Sequence, residues 1–222
     1  MESMTKIESV LFDLDGTLLD SFPDFLVSLQ NINIKSSSKK IDENIVRANV
    51  SDGSSKLLKL VFDINADDED FDEHKRIFLN EYEKNILMYG NLFLGVSDLL
   101  NFLLDKKIPY GIVTNKPRKY TEIILKKSSL LRQSKVVICC DDGFKSKPDP
   151  EGINHACDIL GVQNSKCIYI GDHENDLNAS LSAGTISGIC SFGYGFDRAT
   201  YIDGIENFAS PIQILDFIKQ NV

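Results

Sequence analysis

Val10-Leu11-Phe12-Asp13-Leu14-Asp15-Gly16-Thr17-Leu18-Leu19-Asp20-Ser21 is the stretch that decides the fold. It opens with a short apolar run, the pattern of a buried strand, and the run ends in two carboxylates one residue apart followed at once by Gly-Thr. Burying unpaired carboxylates is costly, so a pair at the mouth of a core strand requires a compensating cation or a task in acid–base or nucleophilic chemistry. Gly16 lets the backbone turn sharply and approach a ligand, and Thr17 sets a hydroxyl beside the acids. Taken alone, Asp-x-Asp-Gly reads equally well as a strand running into an Asp/Gly turn.

Beyond this stretch the pattern is helical. Phe22, Phe25, Leu26 and Leu29 predict a helix from Phe22 to about Asn33, with Pro23 acceptable in its first turn. Residues 35–40 form a polar loop. Further helices are expected after Gly53 and from about Asp70 to Met88. Between them, Asp63-Ile64-Asn65-Ala66-Asp67-Asp68-Glu69-Asp70 has Asp68 and His74 where a calcium loop needs Gly and Glu, so it reads as a solvated acidic turn. From Gly95 onward strands alternate with helices, the signature of a parallel sheet covered on both faces. Strands are expected at 110–113, 135–140, 167–170 and 186–191, and helices at 96–107, 120–127, 150–160, 176–183 and 211–220. The fold class is therefore α/β, a Rossmann-like core at 1–19 and 91–222 with an all-helical insertion at 20–90.

The chain has 222 residues, ample for a core, with ordinary globular composition and a formal net charge of -9. That charge disfavours nucleic acid and anionic membrane as partners. An acidic protein handling an acidic substrate must gather positive charge locally, as a metal or a placed lysine. Five cysteines without metal-ligand spacing read as reduced, mostly buried thiols. The first eight residues are polar, and no apolar run is long enough to span a bilayer. These features predict a cytoplasmic protein with no obligatory protein partner.

In an open parallel sheet, ligands bind beyond the carboxyl ends of the strands. Those ends carry Asp13 and Asp15, then Thr114 and Asn115, then Lys147, then Asp172 with Asp176. Together these groups suit phosphoryl transfer through a covalent intermediate. A carboxylate attacks a phosphate only when their mutual repulsion is neutralised, so Asp13 and Asp172 are expected to share a magnesium ion, with Lys147 as a second positive charge. Thr114 and Asn115 would donate to the equatorial phosphate oxygens, and Asp15 would protonate the leaving alkoxide and then deprotonate the attacking water.

Four motifs carry a resemblance over nearly the whole chain: Asp13-Leu-Asp-Gly-Thr17, Val113-Thr-Asn-Lys116, Lys147-Pro-Asp-Pro150, and Ile170-Gly-Asp-His-Glu-Asn-Asp176 backed by Ala183-Gly184. The chain resembles the haloacid dehalogenase superfamily, in the branch of phosphoglycolate phosphatases and beta-phosphoglucomutases. The resemblance implies a helical cap at Phe22 to about Gly90 and a magnesium-dependent phosphatase with Asp13 as nucleophile and Asp15 as acid/base. It also implies a metal held by the side chains of Asp13 and Asp172 and the backbone carbonyl of Asp15, with Asp176 supporting from behind. The substrate expected is a small phosphorylated metabolite such as phosphoglycolate. Phosphosugar mutase is the alternative, and a non-catalytic phosphate-binding module a third. His173 stands where a small residue is common, Cys140 where Gly is common, and Leu94 where Pro is common.

Other polar residues have plainer readings. Lys145 competes with Lys147, but the Lys-Pro-x-Pro context favours Lys147. His173 reads as a loop residue, since magnesium prefers oxygen. Cys139 and Cys140 read as packing thiols, and Arg47 and Lys56 as solvated surface.

Overall fold

The computed structural model describes residues 6–32, 41–196 and 202–222. The polar loop expected at 35–40 lies outside them. In chain order the elements are β1 (Ser9–Phe12), β2 (Leu19–Asp20), α1 (Phe22–Asn31), α2 (Glu43–Ala48), α3 (Ser54–Phe62), α4 (Phe71–Asn85), β3 (Asn91–Leu92) and α5 (Val96–Asp105). There follow β4 (Tyr110–Thr114), α6 (Arg118–Lys127), β5 (Val136–Cys139), α7 (Glu151–Leu160), β6 (Cys167–Gly171), α8 (Glu174–Ala183), β7 (Ile186–Cys190), β8 (Glu206–Phe208) and α9 (Pro211–Asn221). The chain divides into two compact units, one running through Leu19 and resuming at Leu92, the other Asp20–Asn91.

The larger unit is built on a six-stranded sheet in the order β5-β4-β1-β6-β7-β8, every pair parallel. The central strands read as continuous apolar runs because helices cover both faces. Leu11, Val113 and Tyr169 pack with Ile153, Ala156 and Ala179 of α7 and α8. Alternate residues Val10, Phe12, Ile112 and Ile170 point the other way and are fully buried too. Each such side chain contributes roughly 1.5–3 kcal/mol on leaving water. Helices stop where expected: Gly161 and Gly184 end α7 and α8 in the left-handed region that glycine adopts without strain.

This strand order matters for function. From β1 the chain winds outward through β4 to β5, then returns to β6 on the other side of β1 and winds through β7 to β8. The loops after β1 and β6 therefore diverge, leaving a crevice at the carboxyl edge. The register pairs Phe12 with Ile170, so the residues following these two strands emerge side by side.

The helical unit has its own core. Phe25 of α1 stacks on Tyr82 of α4 with ring centroids 4.1 Å apart, and Phe78 lies tilted against the Phe25 ring at 6.2 Å. Asp24, fully buried, accepts backbone N–H groups from Leu87 at 2.7 Å and from Tyr89 and Gly90 at 2.9 Å. A side chain at Gly90 would put its Cβ 2.7 Å from Asp24 Oδ2, so the clasp requires glycine there. The acidic stretch 63–70 is a largely exposed turn in which Asn65 N donates to Asp68 Oδ2 at 2.7 Å. No helix among the described residues is long and apolar enough to cross a membrane.

Candidate active site

Asp13 and Asp15 follow directly on β1, with the fully buried Leu14 between them anchoring the turn. Asp13 continues β1, its N–H bonded to Ile170 O at 2.9 Å, and so lies beside the loop that carries Asp172. Gly16 has a φ of +85°, and a Cβ there would sit 2.1 Å from Asp172 Oδ2. Both conformation and space demand glycine, and the close approach joins the first and last motifs.

Asp13, Asp172 and Asp176 offer carboxylate oxygens within 4.8 Å of one another, all from buried residues. Lys147 reaches into the same cluster. Its Nζ, with three N–H groups, lies within hydrogen-bond distance of four acceptors: Asp13 Oδ1 at 2.6 Å, Asp176 Oδ1 at 2.5 Å, Tyr169 Oη at 2.9 Å and Val113 O at 2.9 Å. Asp176 also accepts from Tyr169 Oη at 2.8 Å and, through Oδ2, from His173 N at 3.0 Å. That last bond belongs to a capping box at the start of α8: His173 is the N-cap, and its Nδ1 accepts from Asn175 N at 3.1 Å. His173 thus shapes the loop that presents Asp172.

The electrostatics of this cluster are unbalanced. Three carboxylates face one ammonium, so two negative charges stand in excess when all are ionised. Burial, reinforced by Asp176, pushes the Asp13 carboxyl up to about 6 despite the opposing pull of Lys147. Burial and the charges of Asp13 and Asp176 raise Asp172 well above the carboxylate range, against the N–H that Tyr194 gives its Oδ2 at 2.8 Å. Burial works against the charge on Lys147, but Asp13 and Asp176 outweigh it and keep the ammonium protonated. A compact set of hard oxygen donors with surplus negative charge fits a divalent cation of the magnesium or calcium type.

The second and third motifs are braced to each other. Thr114 is buried at the end of β4, and its Oγ1 accepts Lys116 N at 3.2 Å. Asn115 makes a two-way bond to the backbone of Lys147: its Nδ2 donates to Lys147 O at 2.9 Å, and its Oδ1 accepts Lys147 N at 3.0 Å. The amide expected to serve the phosphate therefore also fixes the lysine loop, with its second N–H still to place. The Lys147–Pro148 peptide is cis. Asp15 is paired with Lys116, whose Nζ donates to its Oδ2 at 2.7 Å.

Sequence reasoning missed three participants. Tyr169 was legible only as a core residue of β6, although a phenol in an otherwise apolar strand needs a polar partner. Lys116 stood inside the second motif without a task. The Tyr194 N–H leaves no trace in residue identity, because any residue but proline supplies it. Of the residues with plainer readings, Lys145 lies at the surface against Asp149, Arg47 pairs with Asp20 within the helical unit, and burial pushes the Cys139 thiol up to about 11, unsuited to attack.

A parallel sheet that gathers acids and a buried amine where two central loops diverge is an α/β architecture whose switch-point edge is suited to a metal ion. The chain belongs to the haloacid dehalogenase-like hydrolase family, whose model matches residues 10–188. It is 32% identical over 189 residues to an N-acetylmuramic acid 6-phosphate phosphatase of Pseudomonas aeruginosa, covering 85% of this chain and 84% of that protein. It is 35% identical over 186 residues to a phosphoglycolate phosphatase of Xanthomonas campestris pv. campestris, covering 84% of each. Among solved structures it is similar to that of a predicted phosphoglycolate phosphatase from Haemophilus somnus, with a TM-score of 0.81 and 25% identity over 97% of this chain and 99% of that one. Membership implies a divalent metal, which the buried acid cluster fits.

Proposed function

We propose that the protein is a magnesium-dependent phosphatase acting on small phosphomonoesters that also carry a carboxylate. The observation that carries the reading is the meeting of Asp13, Asp172 and Asp176 around Lys147. The substrate class rests on the relatives: N-acetylmuramic acid 6-phosphate and phosphoglycolate, named for the two phosphatases above, are both phosphate esters of carboxylic acids.

Asp13 is the nucleophile. Its carboxylate attacks phosphorus, the ester P–O bond breaks, and the aspartyl phosphate forms on Asp13. Asp13 and Asp172, with the backbone carbonyl of Asp15, would hold the magnesium ion, and Asp176 would support them while anchoring Lys147. When bound, magnesium neutralises the cluster's surplus charge and polarises the phosphate. Lys147 supplies a fixed positive charge beside the nucleophile. The Thr114 hydroxyl accepts from Lys116 N and so has its own proton to give to a phosphoryl oxygen, and Asn115 adds its remaining N–H. Asp15 gives its proton to the leaving oxygen, then takes one from the water that cleaves the aspartyl phosphate.

Phosphate release with magnesium present is the test, using phosphoglycolate, N-acetylmuramic acid 6-phosphate and, as a carboxylate-free control, glucose 6-phosphate. Release from the two carboxylate esters in preference to the control is expected, with Asp13→Asn inactive. Full activity of Asp13→Asn would end the mechanism, and silence of the wild type on all three esters would end the phosphatase reading.

A further inference from the structure

A second buried lysine sits at the same sheet edge without a task in the reaction as described so far. The Lys116 side chain is 4% exposed, and its ammonium lies 2.7 Å from Asp15 Oδ2. Sequestering an ammonium is costly unless the pairing serves a purpose, and lysines that only solubilise a fold stay in water. The loop that carries it is held by the two residues that precede it, through Thr114 Oγ1 on the Lys116 N–H and through the two-way bond between Asn115 and the Lys147 backbone. The ammonium is therefore delivered to Asp15 from a fixed base.

The consequence falls on the two oxygens of Asp15. Oδ2 is engaged by Lys116, whereas Oδ1 is buried and has no hydrogen-bond partner among the described residues. The Asp15 side chain is 14% exposed and none of that exposure lies on Oδ1, so the carboxyl meets the crevice by the edge that Lys116 holds. We propose that Lys116 is a positioning residue that holds Asp15 by Oδ2, fixing the orientation in which this carboxyl exchanges a proton with the leaving group and the water. This rests on Asp15 being the acid/base of the proposed phosphatase reaction.

The balance is simple. In the first step the Asp13 O–P bond forms, the ester P–O bond breaks, and the proton on the Asp15 carboxyl passes to the leaving oxygen. In the second, water oxygen bonds to phosphorus, the Asp13 O–P bond breaks, and the Asp15 carboxylate takes the proton of the water. Lys116 keeps its protons throughout.

A clamp of this kind matters only where the leaving group needs a proton. The test compares kcat/KM, which reports steps through leaving-group departure, for phosphoglycolate and for p-nitrophenyl phosphate, whose phenolate departs unassisted. Lys116→Met is expected to lower kcat/KM on phosphoglycolate on the order of 10²-fold, as loss of a general acid does, and on the aryl ester less than about tenfold. In an Asp15→Asn background the same substitution is expected to leave the ratio of the two esters unchanged. Lys116→Gln keeps a donor and most of the side-chain volume, and reads the same ratio should the Met variant fail to fold. Equal losses on both esters would overturn the clamp and leave a merely structural ion pair. A wild type inactive on both, and on N-acetylmuramic acid 6-phosphate and glucose 6-phosphate as well, would instead overturn the phosphatase reading beneath it.

Discussion

Asp24 in the helical unit and Asp172 at the sheet edge are buried to the same depth, with no measurable exposure, yet they are served in opposite ways. Asp24 accepts three backbone N–H groups, from Leu87, Tyr89 and Gly90. It ties the start of α1 to the chain that leaves α4, so its charge is spent on holding the insertion together. Asp172 takes the Tyr194 N–H but faces two further acids, and its pKa is driven up by burial and by those charges. Depth of burial therefore does not distinguish a carboxylate that its neighbours satisfy from one proposed to hold a metal ion. What surrounds it does, because a satisfied acid stabilises the fold while an acid among acids creates a demand for a cation.

Substitution at each position should separate the two roles. Asp172→Asn is expected to reduce phosphate release on the order of 10³-fold or more, the several kcal/mol a divalent ion contributes to such a transition state. The same change should leave the metal-free protein as stable as the wild type or more so, since it removes surplus buried charge. Magnesium at about 100 times its Kd should stabilise the wild type by about 2.7 kcal/mol and the variant hardly at all. Thermal melts with and without magnesium would read this. A metal-free Asp172→Asn protein that melts well below the wild type would break the comparison.

Asp24→Ala should behave in the reverse manner. It strands three backbone donors and is expected to cost about 3–5 kcal/mol, while the magnesium increment survives intact. Urea denaturation measures the loss, and Asp24→Asn, which keeps one acceptor, should lose less. An Asp24→Ala protein as stable as the wild type would show that the clasp is dispensable.

The same contrast explains what could be read from the chain alone. The sheet was legible because β1, β4 and β6 are apolar runs buried on both faces, and each ends in a polar group that a core strand would not otherwise carry. Asp13, Asp172 and Lys147 came with that pattern. α2 was not legible, since six residues with Val46 buried give too little periodicity to register. The edge strand β8, Glu-Asn-Phe, is too short and polar to stand out. Within the site, what escaped was pairing. Side chains announce charge and polarity, but not that Asn115 also braces the Lys147 backbone, that Lys116 seizes one oxygen of Asp15, or that Tyr169 completes the lysine's shell. Backbone partners such as Tyr194 N and the donors around Asp24 are invisible to residue identity altogether.

The smallest expected effect sharpens the comparison at a third acid, Asp142, which lies between the two extremes. It is partly exposed; burial raises its pKa, but the Arg118 guanidinium and the Cys139 N–H at 2.7 Å outweigh burial and hold the carboxyl below its usual value. A depressed folded-state pKa stabilises the protein above the unfolded value, near 3.9 for an aspartate, and that stabilisation is lost as pH falls through the folded value. For Asp13 the sign is opposite: with its pKa raised to about 6, the metal-free protein should gain stability from this group as pH falls through that value. Stability of metal-free wild type measured from pH 7 down should therefore rise first through Asp13 and fall later through acids of the Asp142 kind. Because Arg118 and Asp142 are partly solvated, the Asp142 contribution is about 1 kcal/mol or less. Asp142→Asn should lose that amount at pH 7 and match the wild type near pH 2, whereas a difference from wild type that stays constant over the whole range would remove Asp142 from the set of acids that stabilise by being served.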